Sequence, residues 1–230
     1  MKGQFTYYGH SSFGLTLGDH RLLIDPFISG NPTIDLDPED LEADYILVTH
    51  GHGDHVGDTA AIAQRTGAQA IACFEVANWL EEQGVEAHPQ HIGGGFHHPF
   101  GYLKMTQALH GSSLPDGSYG GMPGGFLITS LSDFRVYIAG DTGLFPGMEL
   151  IGDEGIDLAA LPIGDNFTMG PDDALRAVKL LRPRRVIPSH YNTFDLIKQD
   201  PRAWKTRVES ETDSQVTVLE PGESLPLNED

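Results

Sequence analysis

Residues 50–55 read His-Gly-His-Gly-Asp-His, so four potential metal donors fall within six positions. The cluster follows the apolar run at residues 46–48, where a buried strand is predicted to end. Two glycines separate the donors, and glycine lets the backbone turn tightly enough for neighbouring side chains to converge. Imidazole and carboxylate groups at this density are typical of a transition-metal or zinc site. We therefore predict a metal-binding loop that contains His50, His52, Asp54 and His55.

Three further candidate donors end other predicted strands. His110 ends YLKMTQALH, Asp141 ends FRVYIAGD and His190 ends RRVIPSH. In layered α/β proteins ligands gather beyond the carboxyl ends of strands, so these side chains are expected at the same edge as the loop. Seven donors suffice for two divalent cations. We assign one ion to His50, His52 and His110, the other to Asp54, His55 and His190, and the bridging position to Asp141.

This donor set predicts a catalytic centre rather than a structural one. Three terminal ligands and a shared carboxylate leave each ion an open position, and no cysteine takes part. A hydroxide bridging two cations is available near neutral pH, because each cation lowers the pKa of bound water. The pattern therefore indicates a hydrolase in which solvent is the nucleophile and Asp54 orients it or accepts its proton. Zinc is the first choice of metal, and the same donors also suit manganese, iron, nickel and cobalt.

Short extended segments open the chain, and predicted strands and helices alternate after them. The opening segments cover residues 4–9, 13–17 and 21–26, and later strands are predicted over residues 43–50, 69–73, 102–110, 124–131, 134–141, 157–164, 184–190 and 215–222. Helices are predicted over residues 56–67, 74–84, 171–183 and 200–211. We expect an α/β protein with two sheets and outer helices, folded as a single domain over residues 1–230.

Charge and cysteine content restrict the partners. The 33 acidic and 14 basic residues give a formal charge of −19, which repels nucleic-acid backbones and anionic lipid surfaces. Cys73 is the only cysteine, so no intrachain disulfide is possible, and no signal peptide or membrane-spanning run is recognisable. We expect a cytoplasmic protein that acts on a small molecule, without nucleic-acid or membrane partners. Association into a homo-oligomer stays open.

Seven segments, in order, resemble the metallo-β-lactamase superfamily. More narrowly, the chain is similar to the small bacterial metal-dependent hydrolases of the ascorbate-6-phosphate-lactonase-like branch, the UPF0173-type hydrolases. The matching segments are YYGHSSF, LLIDPF, ILVTHGHGDHVGD, ALHGSS, IAGDTG, LPIGDNFTMGP and VIPSHYNTF, and they span nearly the whole chain. The resemblance implies a four-layer αββα sandwich of mixed sheets with outer helices. It also implies a two-metal hydrolytic site at the sheet edge, with lactone-like substrates considered first.

The resemblance assigns roles that spacing alone does not. It implies that His10 lines the active-site pocket, where we count it with Asp54 as a catalytic candidate. Asp25 is expected to support the metal-binding loop, and Thr142 follows the bridging aspartate. Asp165 departs from the pattern, because close relatives usually carry glycine there, so a negative side chain is expected near the substrate entrance. The connection at residues 111–125 is predicted to be mobile and well placed to cover substrate.

Two other functions are compatible with the same scaffold. A di-iron oxidoreductase is disfavoured because such relatives typically place a carboxylate where Gly53 stands. A ribonuclease-like phosphodiesterase is disfavoured by the acidic charge and by the lack of a basic arm for RNA. The remaining histidines are interpreted as surface groups, with the adjacent pair placed in a loop; they are His20, His88, His91, His97 and His98.

Overall fold

The computed structural model describes residues 3–227, which form two seven-stranded β-sheets and six α-helices. The first sheet has the strand order β14-β1-β2-β3-β4-β5-β6. Its strands are β1 (Gly3–Tyr7), β2 (Phe13–Leu17), β3 (His20–Ile24), β4 (Tyr45–Leu47), β5 (Gln69–Ala72), β6 (Ala87–Pro89) and β14 (Ser224–Leu227). The second sheet has the order β13-β12-β11-β10-β9-β8-β7. Its strands are β7 (Gly95–His98), β8 (Gly101–Gln107), β9 (Gly124–Ser130), β10 (Arg135–Ile138), β11 (Leu158–Pro162), β12 (Arg185–Ser189) and β13 (Gln215–Val216).

The helices lie outside the two sheets. They are α1 (Gly53–Val56), α2 (Thr59–Thr66), α3 (Phe74–Glu82), α4 (Met148–Gly152), α5 (Pro171–Leu181) and α6 (Pro201–Glu211), with short 3-10 turns at Pro38–Asp40 and Asp195–Ile197. Within the described part of the chain, none of these helices combines the length and the apolar composition that a bilayer crossing requires.

Side chains of the central strands alternate between the two faces of the sheet, and this alternation produces the layers. Val136 and Ile138 of β10 pack into one core between the sheets, whereas Tyr137 packs into a second core beneath α4, α5 and α6. Successive side chains of a strand point to opposite faces, so a strand buried on both faces needs apolar residues at every position. Ile62 of α2 and Leu80 of α3 cover the outer face of the first sheet. The predicted αββα sandwich is confirmed.

Strand direction sets the position of the functional edge. Strands β3 to β6 run parallel, as do β10 to β13, and β8 runs in the direction of β10 because both are antiparallel to β9. The segments after β3, β4, β8, β10, β11 and β12 therefore leave the sheets on one side. This is the edge at which the sequence places the candidate donors.

Several element boundaries differ from the sequence prediction. The helix predicted over residues 56–67 is divided, because Gly57 takes a φ of 40° between α1 and α2. The strand predicted over residues 215–222 is wrong beyond Val216, because residues 217–220 have no regular structure and a turn follows at Pro221-Gly222. The last strand is instead β14, which pairs antiparallel with β1.

The pair His97-His98 is predicted to lie in a surface loop; the loop is wrong for both residues and the exposure is wrong for His98, whereas His97 is exposed. Both residues belong to β7, whose pairing with β8 directs His98 inward, where it is 7% exposed. Its ring stacks on Phe100 with centroids 5.1 Å apart, and the ring of His88 lies at 5.0 Å. Burial, with a smaller effect of His88, lowers the pKa of His98 to about 4.

A pH-dependent stability follows from His98. The unfolded chain takes up the proton near pH 6.5, whereas the folded chain resists it down to about pH 4, so stability is lost as the pH falls through that window. Between pH 7.5 and pH 5.5 the unmodified protein should lose about 1 kcal/mol more unfolding free energy than the His98→Phe variant. Urea unfolding of both proteins at the two pH values measures this difference. An equal pH dependence in the variant would contradict it.

The connection between α1 and α2 demands glycine at position 57. A Cβ there would lie 2.9 Å from Phe27 Cα and still closer to the Pro26 carbonyl oxygen. We expect Gly57→Ala to lower the unfolding free energy by about 3 kcal/mol or more, because strain and clash add. Gly67→Ala is the matched control: its φ is 76° but a Cβ meets nothing within 4 Å, so about 1 kcal/mol is expected. Equal losses in thermal or urea unfolding would show that the contact is not decisive.

Candidate metal centre

The structure brings all seven predicted donors together at the edge described above. His50 lies three residues beyond β4, His110 three beyond β8, Asp141 three beyond β10, and His190 directly after β12. Three overlapping groups have donor atoms that all lie within 4.8 Å of one another: His50, His52 and His110; His10, Asp54, His55 and His190; and His50, His55 and Asp141.

The first group agrees with the set predicted for one ion. His50 Nε2 and His52 Nδ1 are 2.9 Å apart, and the ring of His110 lies 5.1 Å from each of the other two rings. His50 is fully buried, whereas His52 and His110 are partly exposed. Three ring nitrogens thus converge on a position that is open on one side.

The second group contains His10 in addition to the predicted donors Asp54, His55 and His190. His10 Nε2 lies 3.2 Å from Asp54 Oδ2, and the ring of His10 lies 4.1 Å from that of His190. His10 therefore belongs to the donor group itself, beyond the pocket-lining role that the resemblance implies. Its Nδ1 lies 2.9 Å from Thr193 Oγ1.

Asp141 lies between the two groups. Its Oδ2 is 3.0 Å from His190 Nε2 and 3.5 Å from His110 Nε2, and its Oδ1 is 3.4 Å from His55 Nε2. Burial alone would raise the pKa of Asp141, but His55 and His190 outweigh it and hold that pKa well below its ordinary value. The Asp141 carboxylate is therefore ionised. It lies between the two groups, as predicted for a ligand that bridges two ions.

The donor atoms around His55 fit a cation. Asp25 accepts hydrogen bonds from Thr49 N at 2.8 Å and from Thr49 Oγ1 at 2.6 Å, and its Oδ2 lies 2.8 Å from His55 Nδ1. Burial opposes a charged His55 ring, but Asp141 and Asp25 outweigh it and raise the pKa of His55 well above its ordinary value. In the neutral form that binds a metal, this network keeps the proton of His55 on Nδ1 and directs the Nε2 lone pair at Asp141. Neither His55 Nε2 nor Asp141 Oδ1 has a hydrogen-bond partner among the described residues, although both are buried. A cation between these two buried atoms would satisfy both of them.

The same network orients His50. Thr49 Oγ1 donates to Asp25, so it accepts from His50 Nδ1 at 3.0 Å and leaves the His50 Nε2 lone pair facing the first group. Burial, followed by the nearby His55, lowers the pKa of His50 well below its ordinary value. A neutral imidazole with a free Nε2 is the form that binds a metal. The predicted supporting role of Asp25 agrees with this geometry, and Thr49 is an additional residue with that role.

The electrostatics of the His10 and Asp54 pair favour a neutral ring beside a charged carboxylate. Burial lowers the pKa of His10 to about 4 against the opposing effect of Asp54. Burial would raise the pKa of Asp54, but the hydrogen bond with His10 and the nearby His55 lower it below its ordinary value. The Asp54 side chain is 34% exposed, more than any other donor of its group, so it is the one that a substrate can reach.

Left-handed backbone conformations concentrate at this edge. His10, Asp25 and His190 have φ values of 55°, 46° and 53°. Such values are uncommon outside glycine and persist where the surroundings fix them, as at functional sites. His190 N donates to the His10 carbonyl at 2.7 Å, which ties the loop after β1 to the loop after β12.

The segment predicted to be a mobile connection is anchored to the metal-binding loop. Ser112 Oγ accepts from Gly51 N at 3.0 Å and donates to the Gly120 carbonyl at 2.7 Å. Leu114 is buried, and Asp116 accepts a hydrogen bond from Trp79 Nε1. These contacts hold the loop in place beside the donors, so the expectation of mobility is not supported.

Asp165 lies outside the three donor groups. It has a φ of 64° in the loop after β11, and its Oδ1 accepts from Asn166 N at 2.8 Å. Met169 of the same loop donates its backbone N–H to the carbonyl of Thr142, the residue after Asp141. The loop is therefore next to the candidate centre, and Asp165 adds a negative charge near it.

Known proteins resemble this chain in sequence and in fold. A profile of the beta-lactamase superfamily domain matches residues 20–191. A UPF0173 metal-dependent hydrolase of Desulforamulus reducens is 53% identical over 97% of this chain and 100% of its own length, and one of Thermus thermophilus is 49% identical over 96% and 98%. The structure of Igni18, described as a novel metallo hydrolase from the archaeon Ignicoccus hospitalis, superposes with a TM-score of 0.92 at 37% identity, covering 100% of both chains. The chain therefore belongs to the beta-lactamase superfamily and, within it, to the UPF0173 metal-dependent hydrolases.

Proposed function

We propose that this chain is a dinuclear metal-dependent hydrolase that cleaves an ester, lactone or phosphodiester-type bond in a small molecule. The observation that carries the proposal is the buried Asp141 carboxylate, which lies within 3.5 Å of histidines from both donor groups. Relatives about 50% identical over nearly the whole chain are named metal-dependent hydrolases, which supports the reaction class.

Two divalent cations fit the donor groups, with zinc as the proposed metal. His50, His52 and His110 would hold one cation, and Asp54, His55 and His190 the other, with Asp141 shared between them. Bound there, the cations would supply hydroxide near neutral pH and polarise the bond to be broken. The absence of thiolate from the set suits an open, catalytic site.

The protein's own side chains supply orientation and proton transfer. Asp54 is ionised and partly exposed, so its carboxylate can accept the proton of an attacking water. His10 is neutral at physiological pH; with its Nε2–H donated to Asp54 it accepts the Thr193 hydroxyl at Nδ1. This chain of hydrogen bonds fixes the direction in which Asp54 presents its free oxygen.

The redox alternative is weaker for a chemical rather than a steric reason. A Cβ at Gly53 would meet nothing within 4 Å, so the structure does not exclude a side chain there. Glycine nevertheless supplies no carboxylate donor at that position, and such a donor is what the di-iron relatives typically have there. The RNA alternative is opposed by the charge of −19.

Elemental analysis combined with a hydrolysis screen tests the proposal. The purified protein should hold about two equivalents of divalent metal and turn over at least one member of a panel of lactones, carboxylic esters, phosphodiesters and β-lactams. Removal of metal by a chelator should abolish turnover, and zinc should restore it. Two bound metals without hydrolysis of any panel member, or dioxygen consumption by a di-iron form, would contradict it.

A further inference from the structure

Three donors of the candidate centre are accessible to solvent. His55, Asp141 and His190 are buried, whereas Asp54, like His52 and His110, is partly exposed. A substrate must therefore approach past the exposed edge of Asp54 and His110. The side chains around that edge determine which substrates are accepted.

Large exposed apolar side chains lie in the loops that carry or adjoin these donors. Leu109, directly before His110, is 47% exposed, and Phe167, in the loop after β11, is 51% exposed. Phe194, four residues after His190, is 41% exposed and lies edge-on to His10, with ring centroids 5.5 Å apart. Exposed apolar groups gathered beside a polar site are typical of ligand-binding surfaces.

Hydrogen bonds join the loops that carry these side chains. Leu109 N donates to Thr142 Oγ1 at 2.9 Å, and Met169 N donates to the Thr142 carbonyl at 2.9 Å. Gln199 Nε2 donates to the Gly164 carbonyl at 3.1 Å, which links the loop of Phe194 to that of Phe167. The arrangement of these apolar side chains is thus preformed, and binding to them need not order a flexible segment.

Positive charge is nearly absent from the same loops. The loops at this edge of the sheets span residues 8–12, 25–31, 48–58, 108–123, 139–147, 163–170 and 190–200. Lys198 is the only Lys or Arg in them. Lys198 Nζ lies 2.7 Å from Asp195 Oδ1, so it already has an anionic partner. Asp165 adds a negative charge to the same region. A phosphate or carboxylate on the part of a substrate away from the scissile bond would therefore be repelled rather than paired with a cationic side chain.

From these observations we infer that the substrate is an uncharged carboxylic ester or lactone with an apolar, aliphatic or aromatic group beside the scissile bond. Leu109, Phe167 and Phe194 are the residues that select it. In the reaction the oxygen of water bonds to the carbonyl carbon, the carbon–oxygen bond to the leaving group breaks, and the departing oxygen takes a proton. This inference rests on the proposed hydrolytic function and excludes phosphodiesters, which are anionic.

A binding experiment tests the selection independently of turnover. The zinc-loaded protein is titrated calorimetrically with three hydroxamates that share a metal-binding head: acetohydroxamate, a phenylalkyl hydroxamate, and an analogue that ends in a carboxylate at the same length. The phenylalkyl compound should bind about tenfold or more tightly than either of the others, since only it buries apolar surface without an unpaired charge. Equal affinities, or no binding of any of the three, would overturn the inference.

Variants connect the preference to the named residues. Phe194→Ala and Phe167→Ala should each lose most of the tenfold preference, whereas Phe194→Lys should favour the carboxylate compound. Leu131→Ala is the control, because this leucine is 70% exposed in the turn between β9 and β10, away from the donors. An equal loss in the Leu131 variant would overturn the assignment.

Kinetics separates this inference from the proposed function. The ratio of kcat/KM for an apolar ester over its carboxylate-bearing analogue should also be about tenfold, and Phe194→Ala should lower it. Turnover without that ratio would overturn the inference and leave the hydrolase intact. A binding preference without any turnover would support the role of the apolar side chains and overturn the proposed function.

Discussion

Asp141→Ala is expected to lose both the two-metal stoichiometry and at least about a thousandfold in kcat/KM, equivalent to about 4 kcal/mol of transition-state stabilisation. The carboxylate lies within 3.5 Å of His55, His110 and His190, so in the proposed two-metal centre its removal would take a shared ligand from both ions at once. Elemental analysis after dialysis and steady-state kinetics on the best substrate of the screen measure the two losses.

The control for this variant is Asp172→Ala. Asp172 is 80% exposed and pairs with Arg207 on the surface, where an ion pair contributes little to stability. Its metal content and activity should stay at the level of the unmodified protein, and circular dichroism should show that both variants fold. An Asp141→Ala protein that keeps two metals and full activity would remove Asp141 from the bridge.

Asp25→Asn is expected to weaken metal binding by about ten- to a hundredfold, although this residue does not face the donor groups. The carboxylate receives three donors, two from Thr49 and one from His55 Nδ1. An asparagine can accept on one oxygen only, so its amide N–H would face a donor and favour the His55 tautomer that carries its proton on Nε2. That tautomer has no lone pair for the metal. Competition with a chromophoric chelator measures the affinity.

Asp44→Asn is the matched control for Asp25→Asn. Asp44 also accepts a backbone N–H, from Arg21 at 2.7 Å, but it lies at the opposite end of the first sheet. Its substitution should leave metal affinity unchanged. Thermal unfolding of the metal-free proteins separates a general loss of stability from the specific effect. An Asp25→Asn protein with unaltered affinity would contradict the role assigned to the carboxylate.

The sequence predicts the fold and the donor set because both depend on local patterns and one topological rule. The histidine cluster follows a predicted buried strand, and His110, Asp141 and His190 each end another predicted strand. Taken singly, Asp141 or His190 resembles an ordinary strand-end residue. Their significance arises because parallel strands deliver their carboxyl ends to one edge.

Other features depend on long-range pairing that local patterns do not encode. Strand β14 pairs with β1, more than 200 positions away in the chain, and β7 turns His98 inward only because it pairs with β8. The membership of His10 in a donor group likewise depends on its left-handed backbone and its contact with His190. Such contacts are properties of the folded chain.

Hydrogen-bonding partners of the donors were also missed, although a usable signal was present. Thr49 directly precedes His50, and Thr193 follows His190 by three positions. A metal-binding histidine needs a partner on its second ring nitrogen, so a hydroxyl adjacent to the motif was a reasonable candidate. The conformation of the loop decides whether that hydroxyl reaches the ring, as it does from Thr49 to His50 at 3.0 Å.

We propose that the buried Asp141 carboxylate joins two metal-binding groups. Anomalous diffraction from crystals of the zinc-loaded protein tests this most directly. Data collected above the zinc edge should reveal two peaks of anomalous density. One should contact His50, His52 and His110, the other should contact Asp54, His55 and His190, and both should contact Asp141. A single peak, or two peaks of which one lies away from Asp141, would contradict the account.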